Sequence, residues 1–189
     1  MKKNIIYISV LIALFFPGAD AFSEIARKKY FTKPQIGLWG GPITPILSTG
    51  DHVDTDLGGG AFFRYNLPFD LFKVGIDSSY QSFSSKGVDK LRLVPVYMNL
   101  LYLLPFDLPV KIQLKGGGGL CHVDMEPDNI NQWDPMYMAG AEVSFPAGKV
   151  ANIALRIDYI CLYEQYMQGA KKNGYIINAG ISLYFNLNL

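Results

Sequence analysis

Apolar and polar side chains alternate with a period of two along most of the chain after residue 21. In the clearest run, every odd-numbered residue from 175 to 187 is apolar or aromatic, whereas most even-numbered residues from 176 to 188 are polar or glycine. Successive side chains of a β-strand point to opposite faces, so this run predicts a strand with one apolar and one largely polar face. Helical periodicity is hard to find in the same part of the chain.

The alternation predicts eight strands, and the connections between them are of two kinds. Strict alternation of short and long connections is typical of an up-and-down barrel that spans a membrane, with tight turns on one side and loops on the other. The predicted strands have roughly 11–14 residues, which suits a tilted membrane-crossing strand better than the globular average of about 5–6. The short turns are residues 67–70, 104–107 and 146–149, and the longer polar loops are residues 48–56, 84–89, 124–135 and 164–173.

Charged side chains lie almost entirely on one face of the predicted strands. A water-soluble barrel of the lipocalin type would have an apolar interior and a polar exterior, so this pattern favours lipid outside and charges inside. We therefore predict an all-β fold, an eight-stranded antiparallel up-and-down transmembrane β-barrel. Tyr97 and Asn99 are placed inside, although the parity of strands one and four stays open. The predicted lumen charge network is Arg64, Lys73, Asp77, Lys111, Lys115, Glu142, Arg156 and Asp158.

Aromatic residues cluster near both ends of the predicted strands, which predicts two girdles at the level of the lipid headgroups. Tyr65, Phe72 and Phe185 represent the turn-side girdle. Tyr80 and Phe83 represent the loop-side girdle.

Composition and charge narrow the class of protein further. The 189 residues include 17 Lys plus Arg against 16 Asp plus Glu, which is not the basic excess of a nucleic-acid-binding protein. Charged residues make up 17% of the chain, below the ~25% of an average soluble domain, while hydrophobic residues reach 50%. This composition excludes a disordered chain. The two cysteines are too few for a disulfide scaffold or a four-thiolate metal site.

The first segment of the chain has the features of an export signal. A basic head at residues 1–3 precedes an apolar run at 5–16, and small residues occupy positions 19 and 21. The run is shorter than the ~20 residues of a membrane-spanning helix, so it predicts a secretory signal peptide over residues 1–21. Residues 22–34 are then a periplasmic lead-in, and residues 35–189 form the barrel domain.

The last predicted strand contains a polar residue, a glycine two positions later, and apolar residues at alternate positions near its end. The signal residues are Asn178, Gly180, Leu183 and Phe185. In this motif and in its strand pattern, the chain resembles the small eight-stranded outer-membrane barrels of double-membraned bacteria, namely the outer-membrane protein X, outer-membrane protein A barrel-domain and outer-membrane protein W groups. Four residues follow the aromatic that usually ends the family's chains.

The resemblance implies a monomer that lies in the outer membrane, with both termini in the periplasm. Outer-membrane lipids surround such a barrel, and the barrel-assembly machinery reads the last strand as a signal. Both are therefore implied partners of this chain.

The interior of an eight-stranded barrel is just wide enough for side chains to fill. Unpaired charges there would be poorly solvated, so we predict a salt-bridged lumen that blocks any wide aqueous pore. The pairs expected from strand neighbours are Glu142 with Lys111, Lys115 or Arg156, and Asp77 with Arg64 or Lys73.

Three functions fit these features. The first is an integral surface protein with a largely plugged lumen, whose loops bind extracellular or host ligands. The second, implied by the outer-membrane protein W group, is a channel for small hydrophobic solutes. The third is a lipopolysaccharide-modifying acyl-transfer enzyme, which would need His52 and the pair Asp77-Ser78 to converge. Strand alternation points Ser78 to lipid and Asp77 inward, so we expect no enzyme and no cofactor.

His52 and His122 each lie among acidic residues in or beside a predicted loop. Imidazoles and carboxylates are common metal ligands. Acidic residues are also ordinary in surface loops, so no metal site is expected.

Overall fold

The computed structural model describes residues 33–68, 71–84, 90–106, 108–126, 130–148, 150–163 and 173–187. The predicted signal peptide and nearly all of the predicted lead-in lie outside the described residues. The eight strands are β1 (Gln35–Pro45), β2 (Asp56–Asn66), β3 (Phe72–Phe83), β4 (Lys90–Leu103), β5 (Lys111–Glu126), β6 (Ile130–Pro146), β7 (Ala151–Leu162) and β8 (Gly174–Asn186). They pair in chain order, each pair is antiparallel, and β8 pairs with β1 to close a barrel. The predicted eight-stranded up-and-down barrel is thereby confirmed.

We call the two ends of the barrel the turn side and the loop side. The turn side holds the connections after β2, β4 and β6, and the loop side holds those after β1, β3, β5 and β7. The prediction of a long loop at 124–135 is wrong, because β5 continues to Glu126 and β6 begins at Ile130. Asp124 pairs with Asn131 in this stretch. The polar residues of this stretch therefore lie mostly on two paired strands, which form a long hairpin, and not in an irregular loop.

The strands are staggered around the barrel. Following paired residues once around, from Gln35 on β1 through every strand in turn, leads back to Pro45 on the same strand, from position 35 to position 45. Strand tilt and stagger are linked in a closed barrel. The inward side chains consequently fall into layers, from a turn-side end near Gln35 to a loop-side end near Leu91.

Outward side chains form an apolar surface around the middle of the barrel. Leu38 on β1 is 66% exposed and Ile181 on β8 is 58% exposed. Tyr65 lies near the turn-side edge of this surface and Tyr80 near the loop-side edge. Phe83, which was predicted for the loop-side girdle, is instead buried, because its position on β3 has the inward parity.

Residues 46–55, which we call the lid, connect β1 to β2 across the loop-side end. The lid contains a 3-10 helix, Leu47–Asp51, and its Val53 side chain is buried in the apolar cluster of the lumen. Its main-chain N–H groups donate to the carbonyl oxygens of Tyr175, at the start of β8, and Ser84, just after β3, each at 2.9 Å. In the described ranges of the chain, no helix is long and apolar enough to cross a membrane.

Candidate functional site: the charged barrel interior

The barrel encloses all eight residues of the predicted lumen charge network. They come from β2, β3, β5, β6 and β7, and each has the inward parity of its strand. The exposed fraction of each is 7% or less. The buried set comprises Arg64, Lys73, Asp77, Lys111, Lys115, Glu142, Arg156 and Asp158.

The first ion pair of the interior joins Arg64 on β2 to Glu142 on β6. The guanidinium donates two hydrogen bonds, Nη1 to Oε1 at 2.9 Å and Nη2 to Oε2 at 2.7 Å. This two-pronged geometry is the strong arrangement for arginine and a carboxylate. In a ring of eight strands, β2 and β6 face each other. The pair therefore reaches across the full width of the lumen.

The second group is centred on Arg156 on β7. Its Nη2 atom donates to Asp77 Oδ2 on β3 at 3.1 Å, and its Nε atom donates to Asp158 Oδ2 at 2.8 Å. Lys115 Nζ lies 2.6 Å from the other oxygen of Asp158, Oδ1. Asp77 also accepts hydrogen bonds from Tyr97 and from Asn99 Nδ2, so each carboxylate has several donors. Since β3 and β7 also face each other, this group is a second bridge across the lumen.

The expected pairings within the network are wrong for two carboxylates. Glu142 pairs with Arg64 rather than with its strand neighbours, and Asp77 pairs with Arg156 rather than with Arg64 or Lys73. Strand neighbours are close at the backbone. An arginine side chain is nevertheless long enough to cross a narrow barrel, and its fork then meets a carboxylate on the opposite wall.

Aromatic rings hold both guanidinium groups, a feature that sequence reasoning missed. The Arg64 guanidinium carbon lies 4.2 Å from the centre of the Phe62 ring and 5.4 Å from that of Tyr184. The Arg156 guanidinium carbon lies 4.7 Å from the centre of the Trp39 ring. Such contacts attract a cation to the ring face. The signal in the sequence was an aromatic residue, Phe62, on the otherwise polar face of β2.

A glycine makes room for the second group. A Cβ atom at Gly140 on β6 would collide with the Asp158 carboxylate and would lie 2.6 Å from the Ile157 carbonyl oxygen. The carboxylate therefore occupies the space that a side chain at position 140 would need. The Asp158 end of the second group is packed directly against the backbone of β6.

The loop-side end of the lumen differs in chemistry. Most of its inward side chains are apolar and nearly inaccessible, and Val53 of the lid packs among them. Asp134 is the charged exception, and it accepts hydrogen bonds from Gln132 at 2.9 and 2.8 Å. The apolar members are Ile43, Phe83, Leu91, Leu93, Cys121, Val123, Met136, Ile160, Leu162 and Ile176.

The four residues of the predicted assembly signal lie on both faces of β8. Leu183 and Phe185 are outward, and Phe185 is 44% exposed. Asn178 is buried inside the barrel, and its amide oxygen and nitrogen have no hydrogen-bond partner among the described residues. Gly180 lies where a Cβ atom would be 2.5 Å from the carbonyl oxygen of Gly40 on β1, so this glycine also has a packing role at the seam.

The other sequence candidates do not assemble into a reactive centre. Asp77 is engaged with Arg156, and Ser78 has the outward parity of β3. His122 contacts Asn131 Oδ1 at 3.0 Å. Across the described part of the chain, no three or more His, Cys, Asp or Glu side chains are grouped to hold a metal ion.

Comparison with known proteins identifies solved structures with the same fold, but none of them is close to this chain in sequence. The chain matches no protein-family model and no curated protein. The structure is similar to that of Neisserial surface protein A, with a TM-score of 0.67 and 10% identity over 82% of this chain and 97% of that one. It is also similar to the N-terminal β-barrel domain of Pseudomonas aeruginosa OprF, with a TM-score of 0.53 and 15% identity over 82% and 98%.

A third similar structure is a major outer membrane protein from Thermus thermophilus, with a TM-score of 0.53 and 8% identity over 82% of this chain and 99% of that one. These similarities extend over almost the whole length of each barrel. In fold, the chain is therefore one of the small eight-stranded barrels that include these outer-membrane proteins.

Proposed function

We propose that the protein is an integral outer-membrane barrel that presents its loop side at the cell surface and has a plugged lumen. The observation that carries the proposal is the pair of bridges between opposite walls, Arg64–Glu142 and Arg156–Asp77. A side-chain bridge from wall to wall occupies the path that water and ions would take. The barrel then serves as a monomeric anchor, and its interactions belong to the lid, the hairpin and the other loops.

Membrane placement rests on the surface of the barrel. Exposed apolar patches larger than a few hundred Å² are rare on soluble monomers, yet here an apolar surface surrounds the barrel. Strands of this length suit a hydrocarbon layer, which a tilted strand of about 9–11 residues crosses. The outward charges of the described strands, such as Lys90, Arg92 and Glu126, lie on the loop side beyond the apolar band.

The orientation follows from the proposed signal peptide at residues 1–21, which would deliver the lead-in at 22–34 to the periplasm. An even number of strands returns the chain to the same side. Epitope tags after residues 128 and 148 would test this orientation in intact cells. We expect antibody access only at the first tag, and access at the second alone would contradict the orientation.

Electrical recording in a planar bilayer tests the plug. The wild-type protein should show no large steady conductance, because charged pairs fill the lumen. The double variant Arg64→Ala/Glu142→Ala removes one of the two bridges and should raise the conductance. A matched double variant at the exposed rim, Lys90→Ala/Glu126→Ala, should leave conductance unchanged. Large wild-type conductance that is equal in both variants would contradict the plug.

A channel for small hydrophobic solutes is the second candidate, and the apolar loop-side end of the lumen favours it. Such a channel would need the lid and the ion pairs to move. Uptake of a small hydrophobic solute by intact cells, with and without the protein, would decide between the two functions. Equal uptake excludes the channel. An acyl-transfer enzyme has no such support, since Asp77 and Ser78 lie on opposite faces of β3, and we expect no enzymatic activity.

Recognition of β8 by the barrel-assembly machinery is a further part of the proposal. Phe185 and Phe145 offer a matched pair, because both are outward aromatics near the turn side, with exposed fractions of 44% and 41%. If β8 carries the signal, Phe185→Ala should lower the amount of protein in the outer-membrane fraction more than Phe145→Ala does. Equal amounts of the two variants would contradict a signal role of Phe185.

A further inference from the structure

We propose that the outward face of the β5–β6 hairpin binds a neutral saccharide, with Trp133 as the ring on which the sugar stacks. The ligand is a glycan outside the cell, so this inference rests on the proposed function, which places the loop side at the cell surface. It names a class of partner for that side. Three observations carry it: the exposure of Trp133, its distance beyond the aromatic girdle, and the polar groups held around it.

Trp133 is a large ring on the loop side that points away from the lumen. Its exposed fraction is 54%, whereas Trp39, the other of the two tryptophans, is 5% exposed inside the barrel. The residue paired with Trp133 across the hairpin is His122, and Asp124 and Asn131 form the next outward pair toward the tip. The exposed ring is thus surrounded by polar side chains. Such a surface suits a ligand that has both an apolar and a polar side.

The position of Trp133 separates it from the aromatic girdle. Tyr137, which is 62% exposed, is an outward residue of the same strand at the loop-side edge of the apolar surface. The distance from Tyr137 to Trp133 is about 13 Å along the strand, or about 10 Å along the membrane normal at the usual tilt. The headgroup region on each side of a bilayer is only about 5–8 Å thick. With Tyr137 at the headgroup level, Trp133 lies beyond it and faces water.

Contacts between the side chains hold this surface in place. The ring centres of Trp133 and His122 are 5.1 Å apart, and the rings meet edge to face at 64°. His122 Nε2 lies 3.0 Å from Asn131 Oδ1. Arg92 on β4 donates a hydrogen bond from Nη1 to Asp124 Oδ2 at 3.3 Å. Side chains that are already ordered lose less conformational entropy when a ligand binds.

A pyranose sugar has the chemistry that matches this surface. One face of its ring presents C–H groups, which can pack on an indole ring, and its edge presents hydroxyl groups. Each hydroxyl both donates and accepts hydrogen bonds. Asp124 and Asn131 offer acceptor oxygens beside the ring, and the Arg92 guanidinium offers N–H donors. Neighbouring hydroxyls of one sugar can therefore find a donor and an acceptor together.

The charge of the surface selects a neutral ligand. Lys90 Nζ lies 3.6 Å from Glu126 Oε2. Arg92 Nη1 contacts Asp124 and also lies 3.6 Å from Glu126 Oε1. Two basic and two acidic side chains leave no net charge among the described outward residues of this rim. A sulfated or phosphorylated ligand would instead require an excess of basic groups.

Acrylamide quenching of tryptophan fluorescence tests the site, because Trp133 is the exposed one of the two tryptophans. The full barrel is held in an amine-oxide detergent, which has no sugar headgroup. It is titrated with neutral oligosaccharides of glucose, galactose, mannose and N-acetylglucosamine. We expect at least one of them to protect Trp133 from quenching in a saturable way.

Equilibrium dialysis with the same oligosaccharide compares the variants. Trp133→Ala should weaken the apparent affinity about tenfold or more, because it removes the ring on which the sugar stacks. Trp133→Tyr should retain part of the affinity, since a smaller ring remains. Asp124→Ala, which removes an acceptor and leaves the ring, is the second site variant.

Tyr137→Ala is the matched control, because Tyr137 is also an exposed outward aromatic of β6, and this variant should bind as the wild type does. Equal losses in Trp133→Ala and Tyr137→Ala, or no protection by any of the neutral oligosaccharides, would overturn the proposal. Binding of sulfated oligosaccharides alone would also overturn it. So would protection of Trp133 by reconstitution into phosphatidylcholine bilayers without sugar, since the ring would then be a membrane anchor.

The purified protein reports on the site whatever its orientation in the cell. Failure of sugar binding would therefore leave the surface-anchor function standing. Failure of the orientation is detected separately, by the epitope tags after residues 128 and 148.

Discussion

The turn-side and loop-side parts of the lumen are filled by different chemistry, although both are built from inward positions of the same strands. The turn-side and middle layers contain bridges such as Arg64–Glu142, with aromatic rings against the guanidinium groups. The loop-side layers contain closely packed aliphatic side chains such as Leu93 and Ile160. The difference shows that a narrow barrel can be filled in two ways on one scaffold.

The apolar and the charged layers differ in how strongly a substitution lowers the stability of the protein. An apolar layer needs matching shape and volume, and it tolerates substitutions between apolar side chains of similar volume. A charged layer is stable only while every member keeps its partner, because a buried charge left alone is costly. We therefore expect the same size of truncation to have unequal effects in the two parts of the lumen.

The largest effect is expected from Glu142→Ala. It leaves the Arg64 guanidinium buried without its carboxylate, which should lower the free energy of unfolding by about 3–5 kcal/mol. Urea unfolding in detergent micelles would measure the change. Glu126→Ala, at the exposed rim, should change the free energy by less than about 1 kcal/mol.

The double variant Arg64→Met/Glu142→Leu sharpens this result. Replacing both partners of a buried ion pair by apolar side chains is often neutral or stabilising. We expect the double variant to regain most of the stability that Glu142→Ala loses. A double variant as unstable as the single variant would mean that the charges are not the reason for the loss.

Truncation in the apolar part, Leu93→Ala, should have the next largest effect. Leu93 is 1% exposed, so its removal leaves a cavity and should lower the free energy of unfolding by about 2–5 kcal/mol. Leu100→Ala on the same strand is the control, since Leu100 is outward and 47% exposed. Similar losses at both positions would show that the loop-side part is not packed as a core.

The smallest effect is expected from Gly140→Ala. The added methyl group would displace the Asp158 carboxylate and would also lie 2.6 Å from the Ile157 carbonyl oxygen, and overpacking of this kind lowers the free energy of unfolding by about 1–3 kcal/mol. Gly116→Ala on the neighbouring strand is the control, because a Cβ atom there meets nothing within 4 Å. Equal stability of the two variants would show that the Asp158 carboxylate is not tightly packed against Gly140.

The side of the barrel wall to which each charged residue points could be predicted from the sequence. The ion-pair partners and the position of the lid could not, for physical reasons. A strand in a barrel wall keeps a strict period of two, so the inward side of Arg64, Glu142 and Arg156 could be predicted from their neighbours. The carboxylate that each arginine contacts depends on how far its side chain extends across the lumen, and no local sequence pattern encodes that distance. The lid was similarly beyond prediction, since burial of Val53 depends on contacts with distant strands.

The position of the bridges has a consequence for the order of folding. Arg64 and Glu142 belong to strands on opposite walls, which come to face each other only when the sheet curls into a barrel, so their interaction adds nothing to a flat, half-formed sheet. Interactions that are absent from the folding transition state mainly slow unfolding and leave the folding rate unchanged. We therefore expect the bridges between opposite walls to form late, so that they slow the unfolding of the finished barrel without speeding its folding.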